Sequence, residues 1–282
     1  LNEHIQLFSN IAYNVIMIDV QAMFVLIHVC LSLLSKVLLF IAFEEYFMLY
    51  QIPPTITFTG VDQYTKIEDL KQLSSEYMIE FGILFSSNRQ GVDTRYPSLE
   101  YIKSITSHKS GSLCFAAHIC GNHARAIASN GTCSITPFLK ECGFKIIQVN
   151  TSIKNCVDNV SKWAIENDFQ CVLQCRESSF PTDTRVFWLY DKSGGKGIVP
   201  QDWPPLPANG ICGYAGGITH ENVVEVLKSV SATMLPKSNF WIDMEAGVRT
   251  NDIFDIGKCR QVLEQVYSFT NRFADEELPT NE

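Results

Sequence analysis

No C-x-x-C pair occurs among the ten cysteines; the nearest neighbours are Cys114 with Cys120 and Cys171 with Cys175. That spacing excludes a cysteine metal site of the usual kind. The scatter also excludes the dense disulfide framework of a small secreted domain, so reduced thiols in a reducing compartment are expected. No run of lysine or arginine is present, and the net charge is −8, so the basic surface that nucleic acid requires is missing. No G-x-G-x-x-G follows the first strand candidate, which counts against a dinucleotide-binding open sheet. None of these absences excludes an anionic small ligand, because backbone N–H groups can hold a phosphate without basic side chains.

The 282 residues suit one large α/β barrel, which needs roughly 250, plus an appendage. Residues 1–51 differ in kind from the remainder of the chain. From Ala22 to Phe43 the chain is apolar except for His28 and Lys36, long enough to cross a bilayer. A membrane anchor, a helix packed on the barrel and a segment foreign to the mature protein are all compatible with it. The barrel is expected in the cytoplasm in either case, held at a membrane in the first. Pro53-Pro54 ends any helix and marks a domain boundary. Residues 52–273 are expected to form the barrel and 274–282 an acidic tail.

After Pro54, short apolar runs alternate with helical patterns, the signature of repeated βα units. Strands are predicted at Ile56–Phe58, Ile79–Phe85, Leu113–Ala117, Lys145–Val149, Gln170–Gln174, Val186–Tyr190, Ile211–Ala215 and Phe240–Asp243. Helices are predicted at Ile67–Glu76, Leu99–Ile105, Ile153–Glu166, Glu221–Val230 and Ile256–Phe269. Eight strands of this kind close a (β/α)8 TIM barrel. The Pro- and Gly-rich stretch between Tyr190 and Ile211 is expected as a long ordered loop over its mouth.

Such barrels carry their chemistry in the loops after the strands. Gly216 and Gly217 follow the seventh strand, and Gly247 and Val248 follow the eighth. Two glycine turns at these positions predict a phosphate cradle built from backbone N–H groups. Asp191 ends the sixth strand before a glycine-rich loop and is a candidate general acid. Arg95, before a helix start, could hold a carboxylate with its two-pronged fork. In the third strand, alternation sends His118 and Cys120 to one side, where either could serve as a base or sit inert in the core.

Together these residues resemble the phosphoribosylanthranilate isomerase family of tryptophan biosynthesis, over most of residues 56–270. Asp191 with Gly194-Gly195-Lys196-Gly197 and Trp203 resembles the family's D…GGTG…W stretch, whose Asp is the general acid. Ala215-Gly216-Gly217-Ile218 with Glu221-Asn222-Val223 resembles its AGGL…ENV phosphate loop, and Asp243-Met244-Glu245-Ala246-Gly247-Val248 its D-V-S-S-G-V stretch. Arg95 falls where the family's anthranilate-holding arginine does. The resemblance implies an Amadori-type isomerisation without cofactor or metal. It places Thr59, Gly60, Gly194 and Gly195 against the substrate. The family's first strand ends K-I-C-G with a catalytic Cys; here Thr57-Phe58-Thr59-Gly60 puts Thr59 in its place. A hydroxyl is a poor base near neutral pH, so Cys120, His118 or Asp62 would have to replace it. The alternative expectation is a phosphometabolite-binding or interaction protein without turnover.

Overall fold

The computed structural model describes residues 55–276 apart from 109–112, 195, 208–210 and 232–238. In chain order the elements are β1 Thr55–Thr59, α1 Ile67–Glu76, β2 Ile79–Ser86, α2 Leu99–Thr106, β3 Phe115–Cys120, α3 Gly121–Asn130, α4 Thr136–Glu141, β4 Ile146–Val149, α5 Val157–Asn167, β5 Gln170–Cys175, β6 Phe187–Tyr190, β7 Ile211–Ala215, α6 Val223–Ser231 and β8 Asn239–Met244. A 3-10 turn at Ala246–Val248, a small hairpin of β9 Arg249–Thr250 and β10 Ile253–Phe254, and helix α7 Ile256–Glu276 complete it.

Strands β1 to β8 form a closed barrel in sequence order, each parallel to its neighbours. Closure is made by β1, which pairs with β2 (Thr59 opposite Gly82) and with β8 (Thr57 opposite Asp243). The chain is therefore a (β/α)8 TIM barrel. Strand β2 is buried along its whole length, as a strand wrapped on one side by helices and on the other by its own barrel must be. Its outward residues Phe81, Ile83 and Phe85 join Phe58, Ile119 and Ile147 under the helices. Helix α1 contributes Leu70 and Leu73 to that layer and α5 contributes Val160, Trp163 and Ala164, spacings of three and four that put them on one stripe. Inside the barrel, Val172, Leu189 and Ala215 pack with Phe187 and Trp241. The β1–β3 side of the interior is polar, with the Thr57 hydroxyl donating to the buried Glu80 carboxylate at 3.0 Å.

All eight predicted strands are present, with ends moved by at most one residue outside β3. Strand β3 is the largest shift: it starts at Phe115 and runs on to Cys120. Helix α5 begins at Val157 because Asn155 adopts a left-handed backbone (φ 55°) that breaks the turn. Helices α3 and α4 are additions. The first opens on Gly121 without a side-chain cap and holds its place through buried Ala124, Ile127 and Ala128. Among the described residues no helix follows β5 or β6, so the stretch after Tyr190 is a loop, as expected. The segment 22–43 and residues beyond 276 lie outside the described residues. Among the described residues no helix is long and apolar enough to cross a membrane.

Candidate active site

A cavity of about 440 Å³ opens at the C-terminal ends of the strands, lined by residues from all eight of the strand ends and the loops beyond them. Its floor is set by side chains that alternate inward. Thr59 ends β1 and donates its hydroxyl to Asp243 Oδ1 at 2.7 Å; the same hydroxyl oxygen lies 3.4 Å from His118 Nδ1. Gly82 makes this close packing possible. A Cβ there would stand 2.4 Å from Thr59 Oγ1 and 2.9 Å from His118 Nε2, so any larger residue would push the two apart.

Burial governs the charge of this group. His118 is fully enclosed, and burial alone pulls its pKa down to about 3, leaving a neutral imidazole. Asp243 is equally enclosed. Burial pushes it up to about 8, the Thr59 hydrogen bond lowers it in part, and the neighbouring Glu245, Glu80 and Asp191 raise it again. Cys120, at the end of β3, accepts from Asn150 Nδ2 at 3.4 Å. Burial raises its pKa as well, so the thiol holds its proton.

Asp191 sits after β6, two strands from Asp243, with 4% of its surface exposed. Its Oδ1 accepts from Ser193 Oγ at 2.8 Å and from the Gly194 amide at 3.0 Å, and its Oδ2 accepts from Gln174 Nε2 at 3.4 Å. The loop that carries it is pinned by Trp203, whose ring meets Tyr190 and Tyr214 edge-on. From there the chain returns over the β7 turn. Gly217 (φ 62°) leaves no room for a side chain, since a Cβ would be 2.6 Å from the Val199 amide nitrogen and 2.8 Å from the Gly197 carbonyl. Gly247 presses on the same turn from the other side, its would-be Cβ 2.0 Å from the Ile218 carbonyl oxygen. The two glycine corners after β7 and β8 therefore lie against each other on one cavity wall.

The rim is charged. Arg95 Nη1 donates to Glu245 Oε1 at 2.8 Å and Arg95 Nε to Asp252 Oδ1 at 2.7 Å. Arg176, just beyond β5, has no ion pair among the described residues and lies so close to Gly194 that a Cβ there would be 2.6 Å from its guanidinium.

Of the residues singled out in the sequence, the structure brings Asp191, Cys120, His118, Thr59, Arg95, Gly194, Gly216, Gly217 and Gly247 to this one cavity. Gly195 lies outside the described residues. Three others are elsewhere. Asp62 is no candidate base: wholly buried away from the cavity, it pairs with Arg249 at 3.0 Å and accepts from the Phe254 amide at 2.7 Å and the Tyr64 amide at 3.1 Å. Gly60 stands behind the wall with its carbonyl held by Arg249 Nη1 at 2.6 Å. The Val248 amide is used inside its own turn, donating to the Glu245 carbonyl at 3.3 Å, and its side chain is fully buried. Sequence reasoning assigned no chemical role to Asp243, Glu245 or Arg176. Their signal is position, a polar residue at or just after the end of a barrel strand.

The barrel is similar in fold to several solved structures. Phosphoribosylanthranilate isomerase from Thermus thermophilus superposes with a TM-score of 0.53, covering 76% of this chain and 98% of its own at 14% identity. TrpF from Jonesia denitrificans gives 0.55 over 77% and 98% at 12% identity, and the Pyrococcus furiosus isomerase 0.50 over 76% and 98% at 16%. The chain shares the barrel fold of these proteins. No protein-family model and no curated protein matches the chain. The barrel places the cavity at its C-terminal mouth, with two buried carboxyl groups, Asp191 after β6 and Asp243 in β8, on either side of β7. That set can give a proton on one side of a small molecule and take one on the other.

Proposed function

We propose that this barrel binds a phosphorylated sugar or sugar-amine and isomerises it by acid–base catalysis, as an aldose–ketose intramolecular isomerase. The observation that carries the proposal is the presence, in one cavity of about 440 Å³, of two buried carboxyl groups beside abutting glycine corners. A structure of phosphoribosylanthranilate isomerase with a reduced deoxyribulose 5-phosphate analogue, 12% identical with a TM-score of 0.50, supports a ligand of that class in a barrel of this shape.

In this reading the phosphate rests on the Gly216–Gly217 and Gly247 corners, whose backbone lets an anion approach closely. Asp191 gives its proton to the sugar ring oxygen, the C1–O bond breaks and the ring opens. As the ring opens, the lone pair of the nitrogen or oxygen on C1 forms a double bond to C1. Asp243 then takes the proton from C2, the C–H pair forms C1=C2, the C1 π pair returns to the heteroatom, and the resulting enol tautomerises to the ketose. Thr59, in the place of the family's cysteine, holds Asp243 by a 2.7 Å hydrogen bond instead of acting itself. A carboxyl near 8 is well matched to proton abstraction near neutral pH. Neutral His118 and protonated Cys120 then shape the pocket.

The test is an isomerisation assay on the purified full chain with ribose 5-phosphate and phosphoribosyl amines. Asp191→Asn is expected to lower turnover roughly 10²–10⁴-fold with little change in ligand binding. Activity should rise with pH up to about 8 and then level off, because Asp243 must be ionised to act as base. A rate that falls through the same range would make Asp243 the acid. Failure of ribulose 5-phosphate and inorganic phosphate to bind at all would reject the proposal.

A further inference from the structure

The Arg95 fork at the cavity rim is already engaged by the protein's own carboxylates. A guanidinium grips an incoming carboxylate through two parallel N–H donors along one edge. Its two gripping edges each include Nε or Nη1, and here Nη1 is held by Glu245 Oε1 at 2.8 Å and Nε by Asp252 Oδ1 at 2.7 Å. Glu245 is on the cavity lining, two residues before the Gly247 corner. Burial raises its pKa and Arg95 draws it back down, so the pair depends on its partner for compensation. A ligand carboxylate that took Arg95 would leave Glu245 half-buried, unpaired and close to the ligand's phosphate. Arg95 would then be shared among the ligand carboxylate, Glu245 and Asp252, three anionic groups competing for one guanidinium.

We infer that Glu245 occupies the place of a ligand carboxylate at Arg95, so that the substrate presents hydroxyl or amine groups, and no carboxylate, to the Arg95 side of the rim. The second oxygen, Oε2, has no hydrogen-bond partner among the described residues and is free to accept from such a donor. The substrate class is then a phosphorylated polyol or amino sugar rather than a carboxyaryl derivative. Glu245 is the specificity-determining residue. This inference rests on the phosphosugar reading above and narrows it.

The test is calorimetric titration of the full chain with two ligands. One is reduced 1-(o-carboxyphenylamino)-1-deoxyribulose 5-phosphate; the other is the same molecule lacking only its carboxyl group. The native protein is expected to bind the carboxyl-free ligand at least about 10-fold more tightly. Glu245→Gln should shift the ratio at least about 10-fold toward the carboxylate, and Arg95→Ala in that background should remove the gain. Equal binding of the two, equal failure to bind, a preference for the carboxylate, or a ratio unmoved by Glu245→Gln overturns the inference. If ribulose 5-phosphate also fails to bind the native protein, the phosphosugar reading itself falls.

Discussion

Burial of Asp243 makes one carboxyl group both a proton-transfer candidate and a stability cost. In the unfolded chain it ionises near the ordinary value of 3.8; folded, it keeps its proton up to about pH 8. The folded state therefore binds the extra proton between those limits. Stability falls as pH rises through the window and the loss is complete above about 8. Asn has the shape of the protonated carboxyl and cannot ionise. Asp243→Asn should therefore match the native protein in urea denaturation near pH 4 and exceed it at pH 9, by on the order of a few kcal/mol. Equal stability at both pH values would show that Asp243 is ionised in the fold at no cost. None of this was legible from the sequence, where Asp243 is only a polar residue closing a strand. Its partner Thr59 is 184 positions away, and the shift comes from enclosure that exists only once the barrel has closed. Asp191 was legible because a glycine-rich loop comes directly after it. Asp62 misled for the converse reason: an acid three positions past Thr59 looks close to the site. The left-handed turn at Gly60 (φ 99°) and the pull of Arg249 instead carry it behind the wall.

At the scale of elements, the strands were readable because a parallel barrel buries them on both sides, leaving short β-branched and aromatic runs between polar helices. Helices α3 and α4 were not, since α3 begins with Gly121-Asn122-His123 and α4 is six residues long. Both are held by packing rather than by propensity. The contact between the β7 and β8 turns belongs to this scale as well. Each turn shows its glycines in the sequence, but only the register of β7 with β8 sets the second against the carbonyl of the first. Gly247→Ala would drive a methyl to 2.0 Å from the Ile218 carbonyl oxygen, and because both are backbone neither can swing aside. The two turns must part. Phosphate affinity, followed by ³¹P NMR line broadening of ribulose 5-phosphate, is expected to drop at least about 10-fold, with about 1–3 kcal/mol lost in urea denaturation. Unchanged affinity with the stability loss would separate the glycine corners from the anion site.

For the whole molecule the critical step is closing the barrel, when β1 meets β8 across almost the full length of the domain. Arg249 fastens that seam. Its guanidinium, with 3% of the side chain exposed, donates to the Gly60 carbonyl and to Asp62, both on the loop that leaves β1 and the latter 187 positions earlier in the chain. Asp62 in turn accepts from the Phe254 amide of β10, so the same carboxylate ties the terminal hairpin down. Buried pairs of this kind contribute little net stability, but removing one partner leaves the other charge stranded, at a cost of about 3–5 kcal/mol. Arg249→Met keeps the bulk and removes the charge, and it should cost about that much in urea denaturation. If the stranded Asp62 is the cause, Asp62→Asn added to Arg249→Met must restore part of the loss, giving a coupling energy of about 1–3 kcal/mol in a double-mutant cycle. Additive losses would mean that Arg249 acts through its hold on the Gly60 and Asp252 carbonyls and not through Asp62. The barrel seam would then depend on backbone hydrogen bonds rather than on the buried ion pair with Asp62.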